Sequence, residues 1–458
     1  MRSSWRFPLA AAITVTLLSP ALPAAAKHNP DQHSQNMKLL ANVPREPPFT
    51  QSDLAFDGKL AYAGNYNGFR VIDISDPENP VVVSTLRCNG AQGDVNVYGG
   101  LLFSSVDAPQ TSTDPAWPQT CAGSTTTTAS NPTAWEGVRI FDVSDPANPQ
   151  FVKAVRTDCG SHTNTIVPDP DNDRVFVYVS SYPLGGAALG PNCVRREDGG
   201  GHSKISIIEV PLDDPVAATV SAYSLDADTE WATYFGAFTF RACHDISVFL
   251  ELEVAAAACL SEAQLWDISD PANPVFLWRF DDPVVNTANV DLWHSSAFSW
   301  DGEIVAFSDE SGGGGAARCT NPNDMQGRIW FLDIDDGTLM DTYKIPRSVP
   351  TTCTAHLFNF LPGTRDYVLV SSWYTGGTSV VNVSKLLAGA SEAEAEVGYY
   401  VPAGPPAAIT WAAYWYNGFI YTNDIPRGVD IMLLSDQARA GAQKLPMMNP
   451  QTQESIIE

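Results

Sequence analysis

The chain has 458 residues, 44% of them hydrophobic, and a formal net charge of −26. That length is ample for a large core, and the acidity excludes electrostatic attraction to nucleic acid or to an anionic membrane surface. The 34 prolines and 33 glycines are spread along the chain, as many short strands and turns require.

The N-terminus reads as a secretory signal. Arg2 and Arg6 form a positive region, an apolar run covers residues 7–18, and Ala24-Ala25-Ala26 supplies a cleavage pattern. Residues 1–26 are therefore expected to be removed. No later stretch is long and apolar enough to span a membrane. The expected mature protein is secreted, extracellular and monomeric. Residues 27–35 are polar and read as a flexible leader.

A strand–turn unit then recurs. It is Ile72-Asp73-Ile74-Ser75-Asp76-Pro77, then Phe141-Asp142-Val143-Ser144-Asp145-Pro146, then Trp266-Asp267-Ile268-Ser269-Asp270-Pro271, with a weaker copy at Leu332-Asp333-Ile334-Asp335. The apolar run before each Asp reads as a buried strand, and Asp-Pro reads as a turn out of it. Repetition at this spacing fixes the architecture. Four-strand units begin at Asp53, Asp94, His162, His244, His294 and His356. A seventh begins at Trp411 and lacks its fourth strand, which residues 36–43 resemble and would supply. The expected fold is all-β: a seven-bladed β-propeller over residues 36–434, closed by an N-terminal strand. Insertions fall between second and third strands at 107–135, 182–202 and 309–327, all on one face. Residues 435–458 read as a disordered or peripheral tail.

Eight cysteines in an exported chain suggest disulfides. The repeat frame favours neighbouring pairs: Cys88–Cys121, Cys159–Cys193, Cys243–Cys259 and Cys319–Cys353.

The repeated unit resembles the LVIVD-repeat family of exported bacterial β-propellers. Supporting segments are Gly64-Asn65-Tyr66-Asn67-Gly68, Cys159-Gly160-Ser161-His162, Cys243-His244-Asp245, Trp293-His294-Ser295, Asp309-Glu310 and Tyr416-Asn417-Gly418. The resemblance implies the fold and says little of activity. A weaker likeness, of architecture and histidine placement alone, connects the chain with the selenium-binding protein and methanethiol oxidase propellers. That likeness implies copper-dependent oxidation as one option.

Stacking the first residue of each inner strand gives Asp53, Asp94, His162, His244, His294, His356 and Trp411, converging at the channel mouth. Neutral imidazole is a common ligand for transition metals. His162, His244, His294 and His356 are thus the expected ligands of a copper or zinc ion. Asp309 and Asp424 are expected at the same mouth. Glu310 and Asp245 are the expected proton-transfer residues. A repeated His can also serve only the scaffold, bonding to the neighbouring blade. Two functions remain open at this point: a metal-dependent oxidoreductase acting on a small molecule, or a non-enzymatic propeller whose disulfide-pinned loops hold an extracellular protein or glycan.

Overall fold

Each copy of the repeated unit makes the same corner. Asp73, Asp142 and Asp267 accept a hydrogen bond from the backbone N–H two residues on, at 2.8, 2.9 and 2.8 Å. Asp76, Asp145 and Asp270 repeat this one turn later, each at 3.1 Å. Two successive side-chain-to-backbone turns carry the chain out of a buried third strand and into an exposed fourth one. The third strands also bulge at matching places, between Val71 and Ile72, Ile140 and Phe141, and Leu265 and Trp266. A bulge increases twist, and twisted sheets of this kind pack around a ring.

The computed structural model describes residues 31–454 apart from 47, 114–119, 132, 183–192, 194–201, 226–241, 281–289, 291, 322, 405 and 436. The proposed signal at 1–26 lies outside the described residues. Seven antiparallel sheets form a seven-bladed β-propeller. The inner strands are Gln51–Asp57, Val95–Tyr98, Thr163–Asp169, Asp245–Phe249, Trp293–Phe298, Phe358–Phe360 and Thr410–Tyr416. Each contacts the inner strands of the blades on both sides. Apolar side chains fill the spaces between blades, with Phe56 against Tyr416 and Trp293 against Trp330 as examples. The fourth strands face outward, and Val81 and Val275 are exposed there.

Closure follows the expectation. Met37–Pro44 pairs antiparallel with Gly428–Leu434 and completes blade seven. The leader does more than expected. Gln32–His33 pairs with Tyr400 and Val401 and adds a fifth strand to blade six. Asp31 fixes this end by accepting from the Tyr400 hydroxyl and the Ala403 N–H.

The tail is the main correction. Residues 446–454 are neither disordered nor peripheral; they enter the central channel. Met447–Met448 pairs with Phe56 and Asp57, and Thr452–Gln453 pairs in parallel with Val248 and Phe249. Asn449 exchanges two hydrogen bonds with the backbone of Val97, at 2.7 and 2.8 Å. Thr452 donates to Ile166 O at 2.7 Å. The polar edges of four inner strands thereby gain partners that a free channel would leave to water. This design is invisible to hydropathy, because the segment reads as polar. The four disulfides pair as expected. Among the described residues, no helix is long and apolar enough to cross a membrane.

Candidate metal centre at the channel mouth

A cavity of about 710 Å³ opens at the end of the channel opposite the tail's entry. That is the size of a small-molecule site. His162, His244, His294 and His356 all line it, with Glu310, Gln92, Asp107, Tyr66, Tyr182, Tyr374 and Trp411. The imidazoles form an arc. Ring centroids are 4.4 Å apart for His162 and His244, 3.8 Å for His244 and His294, and 4.2 Å for His294 and His356.

The hydrogen bonds restrict where the ring protons sit. Oδ2 of Asp107 is 2.8 Å from Nδ1 of His162, so that nitrogen donates. His162 Nε2 is then an acceptor. It lies 3.2 Å from the Gln92 amide and 2.9 Å from His244 Nε2. Of the two facing Nε2 atoms one carries the proton, and where His162 is neutral that proton belongs to His244 and its Nδ1 lone pair is bare. At the other end, His356 Nδ1 donates to Trp411 O at 2.5 Å, leaving a lone pair on Nε2. His244 Nδ1, His294 Nδ1 and His356 Nε2 are buried and form no hydrogen bond. The His294 backbone lies beside the His244 ring and favours its charged form, against burial.

Electrostatics keep these rings neutral. Burial, reinforced by the other imidazoles, pushes His244 and His294 well below the usual histidine range. Burial also takes His356 down to about 3, against the opposing bond to Trp411. Glu310 is pushed up to about 8, again chiefly by burial, although the Tyr374 hydroxyl bond favours its charged form. Glu310 lies 3.7 Å from His294 Nε2 and 3.6 Å from His356 Nε2. With neutral rings and a largely protonated carboxyl at neutral pH, neither contact is an ion pair. Ligand atoms of His244, His294 and Glu310 all fall within 4.8 Å of one another.

The wall has a strained backbone. Gln92 and Tyr374 are left-handed, with φ of 43° and 49°, a conformation that persists only where surroundings enforce it. Gly314 covers Glu310 and Tyr374 closely. A Cβ there would meet Tyr374 Oη at 2.3 Å.

Several expected members stand elsewhere. Asp53, Asp94 and Asp245 do not line the cavity. Asp94 accepts from the N–H of Asn164 at 2.6 Å, two residues deeper than His162. Asp53 accepts from Tyr414, three residues past Trp411. Bulges such as that between Gln51 and Leu54 shift the frame, and Gln92 takes the place at the histidine level in blade two. Asp309 and Asp424 are not at the mouth either. Each accepts backbone N–H bonds across its own blade, Asp309 from Leu292 and Gly327 and Asp424 from Ile409. Asp107, Gln92, Tyr66, Tyr182 and Tyr374 were not anticipated. A signal existed: Tyr66, Tyr182, Glu310 and Tyr374 follow directly on second strands or lie two residues beyond them, and Asp107 lies within the second strand of blade two.

The family model of the LVIVD repeat matches residues 50–87 and 133–157. The chain carries LVIVD repeats. The first match spans blade one and the second spans the outer half of blade two. Of the cavity wall, the matched LVIVD segments supply only Tyr66. The matched LVIVD units belong to the scaffold of blades one and two, and the histidines come from blades beyond the match. No curated protein matches the chain.

Proposed function

We propose that the channel mouth binds a transition metal through His244, His294 and Glu310, and that the protein is a secreted metal-dependent oxidoreductase acting on a small substrate. The observation that carries this is the convergence of ligand atoms of His244, His294 and Glu310 within 4.8 Å of one another, with Nδ1 of both rings buried and without a hydrogen bond. Such atoms are costly to bury without a partner, and a scaffold role for the rings would have given each nitrogen a backbone bond. Imidazole with carboxylate suits zinc, copper, iron or nickel. A bound ion of this class supplies Lewis-acid or redox chemistry.

The chain's own residues have separable roles. Asp107 holds His162, and His162 in turn sets the His244 tautomer, as an outer partner does for a ligating ring. Trp411 O does the same for His356. Glu310 exchanges a proton near neutral pH, with Tyr374 as its hydrogen-bond partner. Tyr66, Tyr182 and Trp411 give the cavity aromatic walls. Among the described residues the lining is aromatic, imidazole and acidic, with no lysine or arginine. Residues 107–109 and 313–315 build the wall directly. The long insertions thus serve the cavity, which favours this reading over loops displayed to a protein or glycan.

Elemental analysis of protein prepared without chelator decides the matter, alongside His244→Ala, His294→Ala and Glu310→Ala. The expected result is about one ion per chain, lost in these variants. A wild-type protein that holds no ion and gains none on titration with copper, zinc or iron overturns the proposal.

A further inference from the structure

Gly313 and Gly314 follow Glu310 in the blade-five insertion, and both are left-handed, with φ of 58° and 73°. That conformation favours glycine at either place, yet the surroundings of the two differ. A Cβ on Gly313 would point into open space. One on Gly314 would overlap the Tyr374 hydroxyl and ring and come within 2.9 Å of Glu310 Oε1. The loop backbone therefore lies directly on the hydrogen bond from Tyr374 to Glu310.

Both sides of this contact are fixed. The loop is held at its start by Gly313 N–H to Glu310 O and at its end by Cys353 N–H to Ala316 O, each at 2.9 Å. Arg318 Nε reaches back to Ser311 Oγ at 2.7 Å, and the Cys319–Cys353 disulfide ties the loop to the segment leading into His356. Tyr374 is itself left-handed, and its carbonyl accepts from the N–H groups of Thr410 and Gly377 at 3.0 and 3.1 Å. Its ring packs against His356, with centroids 4.9 Å apart. A close-packed interior transmits strain, so a methyl group at position 314 is accommodated at the expense of the Tyr374–Glu310 bond. That bond commits Oε1 of the carboxyl and leaves Oε2 toward His294 Nε2, at 3.7 Å.

We propose that Gly314 is a positioning residue of the metal centre: having no side chain, it lets the loop close over Tyr374 and Glu310 and so holds the carboxyl toward the imidazoles. This role rests on the reading of Glu310 as a ligand of the ion.

The test uses the full chain freed of metal. Zinc affinity is measured by competition with a chelator, and the absorption spectrum of the cobalt-loaded protein reports the ligand set. In Gly314→Ala, zinc affinity is expected to fall about 10- to 100-fold, the scale for losing a ligand's outer partner, and the cobalt spectrum to change as the carboxyl leaves its place. Gly58→Ala measures the cost of a left-handed alanine by itself, because Gly58 has φ of 56°, open space beyond its Cβ and no part in the cavity lining. It is expected to lower the Tm and to leave zinc affinity and the spectrum as in the wild type. Tyr374→Ala removes the atoms that the new methyl group strikes. Adding Gly314→Ala to it is expected to cost no further affinity, as for two changes in one contact, and this pair also serves where Gly314→Ala alone folds poorly. The role is overturned by wild-type affinity and spectrum in Gly314→Ala, by an equal loss in Gly58→Ala, or by additive losses in the double variant; these three results leave the ligand reading standing. A wild type that binds neither zinc nor cobalt overturns the role as well, and the ligand reading falls with it once copper and iron also fail to bind.

Discussion

Tyr374 donates its hydroxyl to Oε1 of Glu310, and both side chains are buried in the cavity wall. This bond favours the charged carboxylate while burial opposes it, and burial prevails at a value of about 8. In Tyr374→Phe the opposition is lost and the carboxyl titrates at higher pH. Metal uptake needs deprotonated ligands. Its half-point is expected to move upward by about one pH unit, the scale of one hydrogen bond to a charged group. Metal affinity measured across pH checks this, and an unmoved half-point removes Glu310 from the ligand set.

Asp107 acts through His162. Asp107→Asn removes the acceptor that places the proton on Nδ1, so the ring can turn its proton toward His244. The His244 lone pair is then no longer guaranteed to face the cavity. Metal affinity is expected to fall about 10- to 100-fold, as for other changes at the outer partner of a ligand, while the unfolding midpoint of metal-free protein changes little. Competition with a chelator of known affinity measures the first, and thermal unfolding the second.

Asn449 completes both polar groups of Val97 inside the channel. Asn449→Ala leaves a buried N–H and a buried C=O unpaired, at about 1–3 kcal/mol each. Deleting residues 446–458 removes also the pairing of Met448 with Phe56 and of Thr452 with Val248, and is expected to destabilise further. Denaturant unfolding of both variants gives the order. Equal stability of the truncated and full chains would mean that the tail does not support the ring.

Glu136 is raised to about 8 by burial and then by Asp107, and its Oε1 has no hydrogen-bond partner. A raised acid favours the folded state while protonated. Its contribution is full below the unfolded value near 4.5 and is lost as pH rises through about 8. Between pH 4.5 and about 8 the slope approaches about 1.4 kcal/mol per unit for such a group. His356 works in the opposite sense. Its contribution is present above about 6.5 and is lost as pH falls toward about 3. Stability of metal-free protein at pH 4, 6, 7 and 9 is expected to decline on both sides, and Glu136→Gln should flatten the alkaline side alone.

The scaffold was legible because its signals are local. Asp73, Asp142 and Asp267 sit in one short phrase, and the missing fourth strand of blade seven reads the same as its counterparts. The histidines were legible because they start inner strands of consecutive blades. Asp53 lies deeper than its place in the repeat suggests because a bulge between Gln51 and Leu54 moves the strand without leaving a mark in the sequence, and in blade two Gln92 stands at the histidine level in place of Asp94. Tyr66, Tyr182 and Tyr374 leave no trace in the inner strands; they follow second strands, whose exits form another ring at the same level. The tail was missed for a deeper reason. Its fit depends on backbone groups of blades one to four, and no periodicity in residues 446–454 encodes those partners.

Those residues come after every blade in the order of synthesis. Blade seven can close on Met37–Pro44 only when its own strands exist, and the channel can fill only later still. A nascent chain therefore emerges with its ring open and its inner strand edges bare. Vectorial passage across a membrane in an unfolded state is compatible with that order, because the final contacts form only after the whole length has been delivered.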